Sequence, residues 1–287
     1  MSRPILRSAS SSRRWCWPSR AARTALSALA AGVLAILVAA GPALGVEPAS
    51  GVAPSIKVEP TPARIVHHGS RSRPVVALTF DDCRDREAVL ALVRTLHREG
   101  VPATFFPYGY AVRRSPDLWV AVAAAGFPIG NHTLSHPDLV PLAEGTVRYE
   151  FRAWRRIVQP IVGAAAIPYA RPPYGAFNLT TARAAAQEGY PTLVLWDIDT
   201  RDWARPSAAV IAGRAGRGTN GSIILMHCGP RQTVDALPAI IAGYRGRGFG
   251  FVTIPELLEG TGPRLGEGRV QPVGGRRLDP RGRPIAL

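Results

Sequence analysis

From Val75 onward, short apolar runs alternate with stretches in which apolar residues recur every three or four positions. VVALTF leads into REAVLALVRTLHREG, ATFFPYG into SPDLWVAVAAAG, and FPIGNHT into a stretch from Leu142 to Val162. YARPPYG, TTARAAAQEG, PTLVLWDID, PSAAVIAGRAG, GSIILMHC, VDALPAIIAGYRGRG and GFVTI continue the alternation. Strands followed repeatedly by helices imply parallel strands joined by crossover helices. About seven such units fit residues 75–258, which predicts an α/β fold with a closed or nearly closed barrel. An open doubly wound sheet is the alternative. VVALTF runs into DDC and not into GxGxxG, so no dinucleotide phosphate loop follows the first strand.

Outside this body the pattern stops. Residues 47–73 mix Pro, Ser, Gly and charge without apolar periodicity and read as an extended linker. Residues 261–287 are rich in Gly, Pro and Arg and read as a flexible tail, which leaves residues 74–260 for the body. Residues 1–23 carry Arg3, Arg7, Arg13, Arg14, Arg20 and Arg23, and Thr24 to Val46 then contains no charge. Residues 1–46 thus have the pattern of an export signal, with Ala43-Leu44-Gly45 as a small-x-small cleavage site. A run of this length also suits an uncleaved signal anchor. Either way the body is expected outside the cytoplasm, secreted or at the cell envelope, touching a membrane only through an uncleaved anchor.

The 287-residue chain has a formal net charge of +15, and Lys57 is its only lysine. Residues 1–46 contribute +6 and residues 263–287 contribute +4, leaving +5 on the rest. A nucleic-acid-binding domain carries its basic stripe on folded elements, so no nucleic-acid partner is expected. Hydrophobic residues at 46% and charged residues at 19% exclude a wholly disordered chain. Three cysteines are too few for a disulfide scaffold, and Cys16 falls in the export segment.

In β/α folds the C-terminal ends of the strands form the active face. Here those ends present Asp81 and Asp82, His132 and His136, Arg171, Asp199 and Asp202, and His227. His132 and His136 are four apart, so one helical turn would aim both imidazoles the same way. With one carboxylate they form a set that suits zinc with an open fourth position, and also iron, cobalt or nickel. Asp81 and Asp82 point to opposite sides of an extended strand, so one can bind a metal while the other serves as a base. Each group alone has a bland explanation: a turn histidine, an acidic cap, a surface ion pair. Their common placement at strand ends describes one site.

Five segments carry these residues in order: TFDD (Thr79–Asp82), HTLSH (His132–His136), RPPYG (Arg171–Gly175), DTRDW (Asp199–Trp203) and ILMH (Ile224–His227). They resemble the five motifs of the polysaccharide deacetylases, the NodB-homology group known as carbohydrate esterase family 4. The resemblance implies a distorted, incompletely closed (β/α)7 barrel and a metal-dependent hydrolase of N-acetyl groups, or of acetyl esters, on a polysaccharide. It makes Asp81 the catalytic base and Asp82, His132 and His136 the ligands of a divalent metal, zinc first, with cobalt or another divalent ion as alternatives. Arg171 would orient the base, and the Tyr174 backbone N–H would join the metal in stabilising the oxyanion. His227 would be the general acid, tuned by Asp202, and Trp203 and Leu225 would enclose the acetyl methyl. The family usually has Gly after the double Asp, where this chain has Cys83, and often Asp after the final His, where this chain has Cys228. In an oxidising compartment a Cys83–Cys228 disulfide is expected, two free thiols being the alternative.

Export and basic flanks point first to a cell-wall glycan, peptidoglycan, as the substrate. Chitin oligosaccharides and acetylated xylan are alternatives, as is a catalytically silent glycan-binding module on the same barrel. Phe105, Tyr108, Tyr110 and Trp119 are candidate sugar-stacking aromatics, with core packing as their other role. A monomer is expected.

Overall fold

The computed structural model describes residues 61–260, together with residues 277–278 and 284–285. The expected export segment with Cys16, the first part of the linker and most of the tail lie outside the described residues. The main body runs β1 (Arg64–Val66), β2 (Val75–Asp82), α1 (Arg86–Glu99), β3 (Thr104–Pro107), α2 (Gly109–Arg114), α3 (Pro116–Ala124), β4 (Ile129–Asn131) and α4 (Glu144–Val162). It continues through β5 (Ala166–Ala170), α5 (Leu179–Gln187), β6 (Thr192–Val194), β7 (Ile198–Asp199), α6 (Ala208–Ala215), β8 (Ile223–His227), α7 (Arg231–Gly246), β9 (Gly250–Phe251) and α8 (Ile254–Glu259).

The strands of the main sheet pair in parallel in the order β1-β6-β5-β4-β3-β2-β8-β7, with β9 added beside β2. β1 and β7 stand at the two ends of this path, so the sheet is an open, curled half-barrel of eight parallel strands with helices around it. The incompletely closed β/α barrel that the family resemblance implies is therefore present. Two features differ from the sequence reading. Residues 64–66, expected in the linker, form β1 in register with β6, and Val66 is buried. PTLVLWDID, read as one strand, is two: β6 pairs with β5 and β1, whereas β7 pairs with β8 at the other end of the sheet. The chain thus crosses the opening of the barrel within three residues, Leu195 to Asp197. In the expected flexible tail, β10 (Arg277–Leu278) and β11 (Pro284–Ile285) form a short antiparallel pair.

Local chemistry accounts for the helix ends. Asp85 caps α1 by accepting hydrogen bonds from the Glu87 and Ala88 N–H groups, and Gly100 ends it at φ 62°, where a residue without Cβ is unstrained. α1 buries Val89, Leu92, Val93 and Leu96 against the sheet, where Phe80, Phe105 and Trp119 pack edge and face. Among the described residues no helix is long and apolar enough to cross a membrane. β2 lies between β3 and β8 in the sheet, and Asp81 on it is in register with His227 on β8. The C-terminal ends of β2, β4, β5 and β8 carry the chemical groups to one rim.

Candidate active site

Asp82, at the end of β2, His132 and His136 bring one carboxylate oxygen and two imidazole nitrogens within 4.8 Å of one another. The two histidines do not share the helical turn expected from their spacing. Segment 132–136 is an irregular loop after β4, with Thr133 and His136 at φ 63° and 65°. Left-handed backbone at non-glycine residues needs support from its surroundings. Asn131 Oδ1 accepts the Thr133 N–H at 2.7 Å, and Thr133 Oγ1 accepts the His136 N–H at 3.1 Å. Glu150, on the buried face of α4, accepts the Leu134 and Ser135 N–H groups at 2.9 Å each and the Ser135 hydroxyl at 2.8 Å.

The donor set suits a cation. His132 Nδ1 lies 2.8 Å from the Arg171 carbonyl, which can only accept, so Nδ1 carries the proton and the Nε2 lone pair faces inward. That lone pair stands 3.5 Å from Asp82 Oδ1, and His136 Nε2 stands 3.1 Å from the same oxygen. Oδ1 is buried and has no hydrogen-bond donor among the described residues. Two nitrogens and one carboxylate oxygen of this kind are the ligands that zinc accepts.

Asp81 sits in a buried electrostatic clamp, with its Oδ2 3.8 Å from His132 Nε2. Arg171, fully buried after β5, donates from Nη1 to Asp81 Oδ1 at 2.6 Å and to Thr79 Oγ1 at 3.0 Å. Its Nε and Nη2 donate to the Val194 and Leu195 carbonyls at 2.9 and 3.2 Å. The guanidinium lies over the Phe106 ring, 4.3 Å from its centroid, and Phe106 in turn packs on Gly130 so closely that a Cβ there would fall 2.3 Å from the ring. Arg171 therefore holds Asp81 with its side chain and His132 with its carbonyl.

Across the rim, His227 ends β8. Asp202 is fully buried and accepts three donors: the His227 N–H at 2.7 Å, His227 Nδ1–H at 2.7 Å and the Thr233 hydroxyl at 2.6 Å. Burial opposes the imidazolium, but the hydrogen bond and charge of Asp202, with Asp81 and Asp82 adding to them, push the His227 pKa up to about 9. The positioned imidazole is thus a proton donor at neutral pH.

The family model described as polysaccharide deacetylase matches residues 68–193. A peptidoglycan-N-acetylglucosamine deacetylase of Bacillus cereus is 34% identical over 67% of this chain and 70% of its own length. The chain belongs to the polysaccharide deacetylase family. A chitooligosaccharide deacetylase of Rhizobium leguminosarum is 32% identical over 66% of this family member and 93% of its own length. A CE4 family pseudoenzyme from Bacillus anthracis shares the fold at TM-score 0.65 and 26% identity, covering 69% of each chain. A mutant of that protein with restored enzymatic activity matches at TM-score 0.65 and 28% identity, covering 69% of this chain and 71% of that one. The fold alone therefore does not make a polysaccharide deacetylase active.

Around this deacetylase rim, Tyr174 takes φ 61° in a single 3-10 turn, Pro173–Gly175. The backbone bonds of that turn run from Gly175 to Pro172 and from Ala176 to Pro173, leaving the Tyr174 N–H out of them. The Tyr174 ring is 70% exposed and meets His136 edge-on at 4.8 Å. Trp203 is 60% exposed on the 3-10 turn that begins at Asp202, and Leu225 shares the face of β8 that carries His227. Asp199 is not drawn in: its Oδ1 accepts the Arg201 N–H at 2.8 Å. Cys83 and Cys228, immediately after Asp82 and His227, are joined by a disulfide. Of the four aromatics suggested for sugar stacking, Phe105 and Trp119 are core residues and Tyr108 is buried beside His136. Tyr110 is partly exposed, under the Arg113 guanidinium.

Sequence reasoning missed the supports. Thr79 could have been found as the residue two before Asp81, on the same strand face. Glu150 stands between Val147, Phe151 and Trp154 on the buried stripe of α4, and a carboxylate there signals a polar task. Asn131 and Thr233 gave no such signal.

Proposed function

We propose that this polysaccharide deacetylase is exported and removes N-acetyl groups from a cell-wall glycan, the N-acetylglucosamine of peptidoglycan, using a divalent metal, zinc first. The observation that carries this reading is the convergence of Asp82, His132 and His136 between the Arg171–Asp81 pair and the Asp202–His227 pair. Asp82, His132 and His136 would hold a divalent ion, which would supply Lewis acidity to the acetyl carbonyl and to the attacking water. Asp81, kept oriented by Arg171, takes the proton of the attacking water. The Tyr174 N–H donates to the oxygen on which charge develops. His227 gives its proton to the departing amine nitrogen, with Asp202 stabilising the imidazolium until then. Trp203 and Leu225 enclose the acetyl methyl.

The names of the relatives support the substrate class, peptidoglycan in the Bacillus cereus protein and chitooligosaccharide in the Rhizobium leguminosarum one. The charged and apolar halves of residues 1–46 support export, and a disulfide suits an oxidising compartment. The test is acetate release by the purified protein from peptidoglycan, N-acetylglucosamine oligomers and acetylated xylan, with chelator and zinc add-back. Release that chelator abolishes and zinc restores, fastest on peptidoglycan, is the expected result. Preference for another polymer overturns the substrate. No release with zinc bound moves the substrate outside these polymers, and no release with no zinc bound favours the silent glycan-binding alternative.

A further inference from the structure

We propose that the Cys83–Cys228 disulfide positions the metal ligand Asp82, holding it in the left-handed turn that carries its carboxylate to the two imidazoles. This rests on reading Asp82, His132 and His136 as metal ligands.

Asp82 and Cys83 lie at φ 66° and 61°, two consecutive left-handed residues that both bear a Cβ. Side chains disfavour that conformation, and it persists only where the surroundings enforce it. The ordinary enforcers are weak here. The register between β2 and β8 ends at the pair Asp81–His227, and that between β2 and β3 ends at the pair Asp82–Pro107. Nor does a donor among the described residues hold Asp82 Oδ1. What remains is a knot at the two cysteines. The Asp81 carbonyl accepts both the Cys83 N–H at 2.8 Å and the Cys228 N–H at 3.0 Å. The two buried side chains are then joined covalently, 145 residues apart in sequence. The link sits one residue beyond the ligand Asp82 and one residue beyond His227, so it fixes the turn and the distance between the two strand ends together.

A glycine at position 83 would adopt the same turn without a Cβ penalty. That separates positioning from simple stapling. Cys83→Ala/Cys228→Ala and Cys83→Gly/Cys228→Ala both lack the cross-link and differ by one Cβ at the strained position. The measurements are zinc affinity by competition with a chromogenic chelator, thermal midpoint, and kcat and KM for acetate release at fixed zinc. The alanine pair is expected to bind zinc about tenfold more weakly than the wild type, with kcat falling and KM for the glycan unchanged. The glycine pair is expected to recover most of that affinity while its thermal midpoint stays below the wild type, because the cross-link is still missing. Zinc affinity of the alanine pair within twofold of the wild type overturns the proposal and leaves a staple. So does a glycine pair no better than the alanine pair.

Should the alanine pair not fold, the folded wild type reduced by a water-soluble phosphine takes its place. Phosphorus gains an oxygen from water to become the phosphine oxide, and the S–S bond takes two electrons and two protons to give two thiols. An unchanged zinc affinity after reduction overturns the proposal. Zinc binding is read without any glycan, so an error in the substrate leaves the test standing. Failure of the metal-site reading shows separately, as a wild type that binds no zinc.

Discussion

Asp202→Asn keeps the shape of the general-acid pair and removes its charge. The amide oxygen can still accept from the His227 N–H and the Thr233 hydroxyl, now 2.7 and 2.6 Å from Asp202 Oδ2. The amide NH2 then faces His227 Nδ1, where a carboxylate oxygen accepts at 2.7 Å in the wild type. Burial still opposes the imidazolium, and the largest favourable partner has gone. Holding the imidazole at about 9 against an ordinary 6.5 corresponds to about 3 kcal/mol. Without the Asp202 charge the pKa should fall to about 6.5 or lower, since burial remains. At pH 8 the acid form then drops from roughly nine-tenths to roughly one-thirtieth of the protein, a loss of about 30-fold in rate. The assay is kcat/KM for acetate release from pH 5.5 to 10, whose basic limb should move down by about two and a half pH units.

Stability gives an independent reading. A folded-state pKa raised above the unfolded value contributes stability that is complete below about 6.5 and is lost as pH rises through about 9. The gap between wild type and variant in urea denaturation should therefore be largest near pH 6 and close above about pH 9. A basic limb that moves by less than half a unit, or a stability gap flat from pH 6 to 10, refutes the role given to Asp202.

Asp81→Asn should lower turnover by about a thousandfold while zinc stays bound; loss of the metal, measured by competition with a chelator, would count against Asp81 as the base. Arg171→Met leaves a buried carboxylate without its partner and should cost about 3–5 kcal/mol in urea denaturation. Arg171→Met/Asp81→Asn should regain most of that loss, and equal loss in both variants would show that the ion pair is not the cause. Glu150→Gln disturbs the acceptors of the ligand loop and should weaken zinc binding by about 10- to 100-fold; affinity equal to the wild type would mean that the loop stands without Glu150.

Much of the site was legible because the chemistry of a strand end is local. TFDD, HTLSH, RPPYG, DTRDW and ILMH each place a reactive side chain where an apolar run stops, and all five segments meet at one rim. The geometry within the segments was less legible. HTLSH reads as a helical turn from its spacing alone, yet Asn131, Thr133 and Glu150 hold it as a loop with two left-handed residues. Glu150 acts across 15 or 16 residues, and Thr233 reaches Asp202 across 31, distances at which periodicity carries no information.

By itself, then, the sequence determined that the chain builds parallel strands with crossover helices and that its acids, histidines and one arginine gather at the strand ends. Apolar periodicity and side-chain chemistry are properties of neighbours in the chain, so they can be read without a fold. Only the tertiary structure decided that RIV joins the sheet as β1, that PTLVLWDID divides across the barrel opening, and that Asp81 stands in register with His227. It alone also decided which oxygen of Asp82 is left for a metal. Strands of two or three residues are too short to show a period, and register and lone-pair direction are set by contacts between residues far apart in the chain.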